Sequence, residues 1–280
     1  MANPKSTKPT GQLNTWKDSL LKGAQVAAKA ENKLIERPFF SLGNGQLKLQ
    51  GAIFPNAEAP VVVLGNIHAN LYYEGDYNPN NPTNPDCFAL AAADDEGNLV
   101  GIDTWNGGLE MAPHKDVKNR VCDTCANCPM NEFGSAKMGS GKACQNTRRL
   151  ATIPAGTIKG GRFEAFNKAA QFENSAIAYA KIPATSAKTF AKYVKDVAEV
   201  EELPTWGVFT KLAVVPNAGK ALPSHVAAFE HLGNIPDALM PAVYERMKEA
   251  VRELPFPFGP PSDKPAAQAG KKAPAKRKYV

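Results

Sequence analysis

Five cysteines occupy one part of this 280-residue chain, and their spacing is typical of a metal site. Cys122, Cys125 and Cys128 form a C-x2-C-x2-C-P run, Cys144 follows after fifteen intervening residues, and Cys87 lies well before the run. A C-x2-C turn directs two thiolates toward one ion, and structural zinc takes four such ligands in a tetrahedron. Three cysteines so close together rarely all reach one ion without strain. We therefore expect zinc on Cys87, Cys125, Cys128 and Cys144, with Cys122 as the alternative ligand in place of Cys87.

Two other interpretations of the cysteines stay open. A C-x2-C-x2-C run with a remote fourth cysteine also occurs in ferredoxins, where proline follows the remote cysteine, whereas here Pro129 follows the third cysteine and Gln145 follows Cys144. Five unrelated thiols are the second interpretation, which the clustering beside Gly, Pro and Asn disfavours. Zinc held by four thiolates has no open position, so it would fix the polar 122–147 loop and perform no chemistry.

No catalytic constellation is visible, and we predict that the protein is not an enzyme. The GSGKA segment at 139–143 resembles a phosphate-binding loop, but Ala136 stands where the first glycine belongs and Ala143 replaces the Ser/Thr that would hold magnesium. None of the four histidines has metal-site or Ser-His-Asp spacing, and a surface or packing role is expected for His114. The acidic run 94–96 is typical of a turn.

Basic and aromatic side chains near the cysteines are candidates for contacting nucleic acid. A solvated loop is the plainer interpretation of the basic residues, and a phosphate-contacting ridge fixed by the metal is the alternative. The segment 70–82 is polar and rich in Pro and Asn, and exposed tyrosine rings in it would stack on unpaired bases. The candidates are Lys137, Lys142, Arg148 and Arg149 around the cysteine loop, and Tyr72, Tyr73 and Tyr77 in the tyrosine segment.

The formal net charge of +6 comes from one end of the sequence. Six of the 33 basic residues and none of the 27 acidic residues lie in 264–280, so the remaining 27 basic residues balance the acidic ones. A disordered polycation of this kind would bind phosphates by counterion release. The tail residues expected to contact nucleic acid are Lys271, Lys272, Lys276, Arg277 and Lys278.

The apolar pattern predicts mostly strands between residues 39 and 215, with helices at either end. Several short strands separated by turn signals are typical of a β-barrel or sandwich. The predicted strands are 45–54, 61–67, 99–105, 148–154, 175–183 and 206–215. The predicted helices are 14–30, one beginning at 183 with Phe190, Tyr193, Val194 and Val197 on one face, one after Ser224, and one at 241–254.

These elements predict a mainly-β, α+β protein with an OB-like β-barrel core, an inserted zinc-binding loop and flanking helices. The expected divisions are a tail and helix (1–36), the barrel with its zinc loop at 114–147 (37–220), C-terminal helices (221–258) and a disordered basic tail (259–280). No segment has the roughly 20 apolar residues of a membrane span, and the first residues do not read as a secretory signal. We therefore expect a cytoplasmic location, where cysteines serve metals more often than disulfides.

The segment PDCFA, followed by CANCPMNEFGSAKMGSGKACQNTRRLA, resembles a family of bacteriophage proteins. The shared features are a P-x-C cysteine, a C-A-x-C-P-x-N-x-x-G-S block and an A-C-x-x-x-R-R-L segment. The likeness covers Asn70 to Ala151 well, and the later part of the chain more loosely. Members resemble zinc-containing proteins that bind single-stranded DNA or assist replication and recombination. The resemblance implies Cys87, Cys125, Cys128 and Cys144 as the metal set, and Cys122 has no counterpart in it.

The predicted function is non-catalytic binding of single-stranded DNA in phage replication or recombination, with one structural Zn²⁺ and little sequence preference. Phage replication or recombination proteins are the expected further partners, and no membrane is involved. The infected host's cytoplasm is the expected setting. The basic tail departs from the acidic tail of many single-strand binders, which argues against partner recruitment through it. The alternatives are a zinc-stapled structural or regulatory phage protein with loose nucleic-acid contact, and an iron–sulfur redox or nuclease component.

Overall fold

A ten-stranded sheet dominates the fold in a computed structural model, which describes residues 37–75, 84–218 and 224–258. The described helices are too short or too polar to cross a bilayer. The strands are β1 (Phe39–Gly43), β2 (Gln46–Leu49), β3 (Ala52–Ile53), β4 (Glu58–Tyr72), β5 (Cys87–Ala93), β6 (Leu99–Ile102), β7 (Gln145–Pro154), β8 (Gly156–Lys159), β9 (Arg162–Ala165), β10 (Ala178–Ile182), β11 (Val208–Pro216) and β12 (His225–Asn234). The α-helices are α1 (Ala169–Glu173), α2 (Ala184–Asp196) and α3 (Met240–Glu253). Short 3₁₀ turns lie at Pro55–Ala57, Pro129–Asn131 and Thr205–Gly207, and a π-helical turn lies at Val197–Glu201.

The sheet is organised around its longest strand, β4. The strand order is β12-β11-β4-β7-β10-β1-β2-β3, while β5 pairs with the second half of β4 and β6 pairs with β5. One edge of β4 is thus shared between β11, which pairs with residues 58–61, and β5, which pairs with residues 68–72. The sheet curls into a half-barrel, and Gly45 in the β1–β2 turn lies against the imidazole of His225 at the start of β12. Hairpin β8–β9 forms a separate small sheet.

A β-bulge in β4 determines which side chains face which core. The β4–β7 register shifts between Val63 and Gly65, and such a shift reverses the alternation of side chains along a strand. On one face, Val62 before the bulge and Ile67 after it belong to the same hydrophobic core as the buried residues of α3. On the other face, Val63 packs with α2, while the even-numbered residues after the bulge are largely polar. The two hydrophobic cores therefore lie on opposite faces of one strand.

The predicted mainly-β fold with a few helices is confirmed. Predicted strands 61–67 and 148–154 lie within β4 and β7, and the predicted helix at 241–254 corresponds to α3. The α2 segment buries Phe190 and Tyr193, as its periodicity predicts. The predicted helix at 14–30 lies outside the described residues.

The helix predicted after Ser224 is wrong. Residues His225–Asn234 form β12 and pair with β11 along its whole length. The run of apolar residues there fits helix or strand, and pairing with β11 decides between them, because tertiary context overrides weak local propensity. Two further elements, the alanine-rich strand β5 and the hairpin β8–β9, were missed because their local sequence signal is weak. Neither shows the clean apolar alternation that marks a half-buried strand.

Arg149 joins the sheet to the end of α3. Its side chain is 3% exposed, and its Nη1 donates to the carbonyl oxygens of Leu254 at 3.0 Å and Phe256 at 2.5 Å. The guanidinium carbon also lies 4.0 Å from the ring centroid of Phe256 and 4.8 Å from that of Phe258. The guanidinium therefore binds carbonyls that follow the last turn of α3, where a cation is favourable.

Replacing Arg149 with leucine is expected to lower the free energy of unfolding by about 3 kcal/mol, because two buried carbonyls lose a charged donor. Urea denaturation measures the change. The matched control is Arg162→Leu on the exposed strand β9, for which we expect a change below about 0.5 kcal/mol. Equal effects of the two variants would contradict a stabilising role for the buried guanidinium.

Candidate functional site

All five cysteines line one small cavity. The cavity has a volume of about 20 Å³ and lies between the β4–β5 end of the sheet and the 103–144 loop. One water-sized particle needs roughly 10–15 Å³ of such volume. The space is therefore about the size of a single ion or water molecule. Asn70, Tyr72 and Met130 complete much of the wall.

The strands on either side of β4 bring the two outlying cysteines together. Cys87 begins β5 and is opposite Tyr72. Cys144 immediately precedes β7, whose first residue, Gln145, is opposite Leu71. Because β5 and β7 pair with the two edges of the same strand, both cysteines reach its end. This juxtaposition explains how residues 57 positions apart in the chain share a cavity.

Backbone hydrogen bonds in the loop hold the cysteine run over that strand end. The N–H of Cys125 donates to the carbonyl of Met111 at 2.9 Å, and the N–H of Cys144 donates to the carbonyl of Met130 at 2.7 Å. In this structure Cys122 and Cys128 form a disulfide, while the other three cysteines are free thiols. The sequence does not predict this pairing. While the bond is present, neither of its sulfurs can act as a thiolate ligand, and within the described residues no three metal-ligating side chains stand in coordinating positions.

The free thiols are desolvated and close to one another. Burial, with smaller contributions from the neighbouring cysteines, raises the pKa of Cys125 to about 11 and that of Cys144 to about 12. Burial also raises the pKa of Cys87. Each sulfur nevertheless has a hydrogen-bond donor: the N–H of Val121 for Cys87, the amide of Asn70 for Cys125, and the N–H of Leu71 for Cys144. Such donors stabilise thiolates, and a bound cation deprotonates coordinating thiols outright.

Three asparagines tie the loop to the sheet. The Nδ2 of Asn146 donates to Asn70 Oδ1 at 2.6 Å and to Asn131 Oδ1 at 3.0 Å. Asn131 Nδ2 in turn donates to the carbonyl of Cys125 at 2.8 Å, and Lys142 Nζ lies 3.2 Å from Asn131 Oδ1. Sequence reasoning did not assign these asparagines a role. The signal that could have found Asn131 is its place in the cysteine block itself, three residues after Cys128.

The 103–144 loop contributes little to either hydrophobic core. Its buried apolar residues are Ala112, Pro113 and Val117 with the two cysteines Cys128 and Cys144. Ordering a backbone costs roughly 1–2 kcal/mol per residue. Burial of so few side chains does not offset that cost over a loop of this length, so the loop depends on its cross-links.

The two described tyrosines predicted to stack on bases lie in different surroundings. Tyr72 ends β4 and lines the cysteine cavity, whereas Tyr73 packs against the core on the face that α3 covers. Consecutive residues of an extended chain point to opposite sides. The two rings therefore do not share one surface, and both are half-buried. Tyr77 lies outside the described residues.

The predicted basic residues differ in their accessibility. The role of Arg149 as a phosphate contact is wrong, because its guanidinium is buried against Leu254 and Phe256. Lys137 is exposed and donates to the carbonyl of Glu74 at 2.8 Å. Lys142 and Arg148 are half-buried. The tail residues Lys271, Lys272, Lys276, Arg277 and Lys278 lie outside the described residues.

The loop also displays aromatic and apolar side chains that sequence reasoning did not assign to binding. Phe133 is 81% exposed, and Lys142 Nζ lies 5.1 Å from its ring centroid. Trp105 is half-buried, with the guanidinium carbon of Arg120 4.3 Å from its ring centroid. Met138 is almost fully exposed. An exposed ring beside a cation is the combination that single-strand binders use for a base and its phosphate.

Two expectations for residues outside the cavity are confirmed. His114 has a packing role: it is 1% exposed and its ring stacks on Phe88 at 4.9 Å. Asp94 forms a turn, in which its Oδ1 accepts from the N–H groups of Glu96 at 3.0 Å and Asn98 at 2.8 Å.

A polar strip continues from the cavity along the sheet. We define it as Asn66, His68 and Asn70 of β4 with Asn146 and Arg148 of β7. The cross-strand pairs His68–Arg148 and Asn70–Asn146 join the two strands. Burial and the charge of Arg148 lower the pKa of His68 to about 4, so its imidazole is neutral at physiological pH.

No protein-family model, curated protein or solved structure matches this chain.

Lowering the pH is expected to destabilise the protein through His68. The unfolded chain takes up this proton near pH 6.5, whereas the folded protein does so only near pH 4. The free energy of unfolding should therefore fall as pH is lowered between these values. Urea denaturation across this range should give a smaller fall for His68→Gln. His114, whose pKa is also lowered by burial, contributes in the same direction and remains in the variant. An unchanged pH profile would contradict the burial of a neutral imidazole.

Proposed function

We propose that this chain is a non-catalytic protein that binds single-stranded DNA and that one structural Zn²⁺ fixes its binding loop. The carrying observation is the shared cysteine cavity beneath a loop that exposes Phe133 beside Lys142. The curled half-barrel is compatible with an OB-like barrel, a fold whose open face binds oligonucleotides. The phage-like cysteine blocks support a role in phage replication or recombination, in an infected cell.

The cavity supports one closed zinc site. Its thiols are desolvated and close together, so each raises the pKa of the others. A divalent cation among them would offset the repulsion between the thiolates and would release their protons on binding. Zinc–sulfur distances are about 2.3 Å, which suits convergent thiolates around a space for one ion. Once the Cys122–Cys128 bond is reduced, Cys128 is again available beside Cys87, Cys125 and Cys144. Four thiolates leave no open position, so this zinc would be structural.

The loop surface supports binding to unpaired bases. An exposed phenylalanine can stack on any base, but only when the base is not enclosed in a duplex. Lys142 and Lys137 supply cations on the same loop. The basic tail would add phosphate contacts that depend on salt but not on sequence.

The proposed function is tested by titrating a labelled oligonucleotide, single-stranded or duplex, with reduced full-length protein at several salt concentrations, and by assaying zinc in the same sample. We expect a salt-sensitive preference for the single strand and one zinc per chain. Weak binding that ignores strandedness would instead support a zinc-stapled structural or regulatory protein. Iron in a brown anaerobic preparation would support a redox or nuclease component.

Serine variants of the two paired cysteines should separate ligand from non-ligand. In reduced protein we expect Cys122→Ser to keep one zinc per chain and Cys128→Ser to lose it, because only Cys128 belongs to the proposed set. Metal analysis and thermal melting with and without a chelator measure the difference. Loss of zinc in Cys122→Ser with retention in Cys128→Ser would make Cys122 the ligand.

Replacing Phe133 with alanine should weaken binding to single-stranded DNA about tenfold, because base–aromatic stacking contributes about 1–3 kcal/mol. Fluorescence anisotropy at fixed salt measures the affinity. Val200→Ala is the matched control, since Val200 is 74% exposed and lies in the π-helical turn after α2. Equal affinities for both variants and the wild type would exclude Phe133 as a stacking residue.

A further inference from the structure

The polar strip is an exception within an otherwise apolar strand. Before the bulge, β4 is buried on both faces, but after it the even positions carry Asn66, His68 and Asn70. The odd positions Ile67 and Leu71 continue the α3 core. Arg148 lies directly opposite His68 on β7. Polar side chains therefore line one face of this part of the sheet, beside the cysteine loop. The opposite face of the same part of the sheet is covered by the hydrophobic core.

Part of this strip is satisfied by protein and part is not. Asn70 and Asn146 bind each other at 2.6 Å and hold the loop, so they have structural partners. Across the three described stretches of chain, the side chains of Asn66 and His68 make no hydrogen bond, and Arg148 uses Nη1 alone, toward the carbonyl of Thr147 at 3.1 Å. All three are half-buried. Half-buried donors and acceptors of this kind bind water or a ligand.

The unsatisfied part of the strip is continuous with the loop cations. Lys142 Nζ lies 3.2 Å from Asn131 Oδ1, which lies 3.0 Å from Asn146 Nδ2. Arg148 is two residues further along β7 on the same face, about 7 Å away. Lys142 on the loop and Arg148 on the sheet are therefore two cations along one path, which suits the regularly spaced phosphates of a nucleic-acid strand.

We propose that Asn66, His68 and Arg148 form a second contact site for the single strand bound by the loop. Arg148 binds a phosphodiester oxygen, and Asn66 and His68 hydrogen-bond the edge of the attached base. An amide and a neutral imidazole each offer both a donor and an acceptor. They can therefore pair with the edge of any base, which fits binding without strong sequence preference. This inference rests on the proposed single-strand binding and names where the strand runs.

The test separates phosphate from base contacts by their salt dependence. Arg148→Gln should weaken binding of a labelled single-stranded oligonucleotide and reduce the slope of log affinity against log salt by about 0.7, the value for one phosphate of a single strand. Asn66→Ala should weaken binding severalfold with the slope unchanged. The matched control is Arg252→Gln, because Arg252 is exposed on α3, which packs on the opposite face of β4. It should change neither quantity.

The outcomes distinguish this inference from the proposed function. If the wild type binds no single-stranded DNA, the proposed function itself is wrong. If the wild type binds and Phe133→Ala weakens it, but Arg148→Gln and Asn66→Ala match the wild type in affinity and slope, the strip is only a solvated face and the inference is overturned. Zinc content and the urea midpoint verify folding. Should Arg148→Gln fail to fold, Arg148→Lys must keep the wild-type slope, and a reduced slope in that variant would overturn the phosphate contact.

Discussion

The change of side-chain alternation at the β4 bulge is the constraint on which the rest of the structure depends. Before Gly65 both faces of the strand are buried, under α2 on one side and α3 on the other. After it, one face stays in the α3 core while the other becomes polar and ends at the cysteine cavity. Without the extra residue, the sequence after the bulge would turn its apolar side chains away from α3. A single backbone irregularity thus allows one strand to serve both the core and the candidate site.

The cysteine cavity provides the second constraint, because the loop above it has almost no core of its own. Its cross-links are the asparagine chain through Asn131 and the sulfur cluster, and both converge at the end of β4. Cross-links stabilise long loops most, since they remove the most freedom from the unfolded chain. The positions of the side chains that the loop exposes, such as Phe133, therefore depend on the order of the sulfur cluster beneath them.

The sequence predicted the elements whose signals are local. The apolar run in β4, the helical periodicity of α2 and α3, and the clustering of the cysteines depend on residues close in the chain. The errors arise where residues distant in the chain determine the secondary structure or the burial of a segment. His225–Asn234 becomes a strand because β11 is beside it, and Arg149 is buried because the chain returns over it 105 residues later. Tyr72 and Tyr73 were both predicted to lie in a loop. Because β4 extends to Tyr72, their rings point to opposite sides of an extended chain. The local signal of the bulge is Gly65, because an isolated glycine within a strand pattern suggests a bulge, and the strand prediction did not use it.

The Arg149 contacts also determine where the chain after α3 leaves the fold. Phe258, the last described residue, packs edge-on against Phe88, which follows Cys87 in β5. The basic segment that begins at Lys264 is therefore tethered only a few residues from the strand that forms one wall of the cysteine cavity. For a tethered group, affinity depends on its effective concentration at the second site as well as on its own contacts. Under the proposed function, the buried contacts of Arg149 would in this way help to set the local concentration of positive charge around a strand bound to the loop.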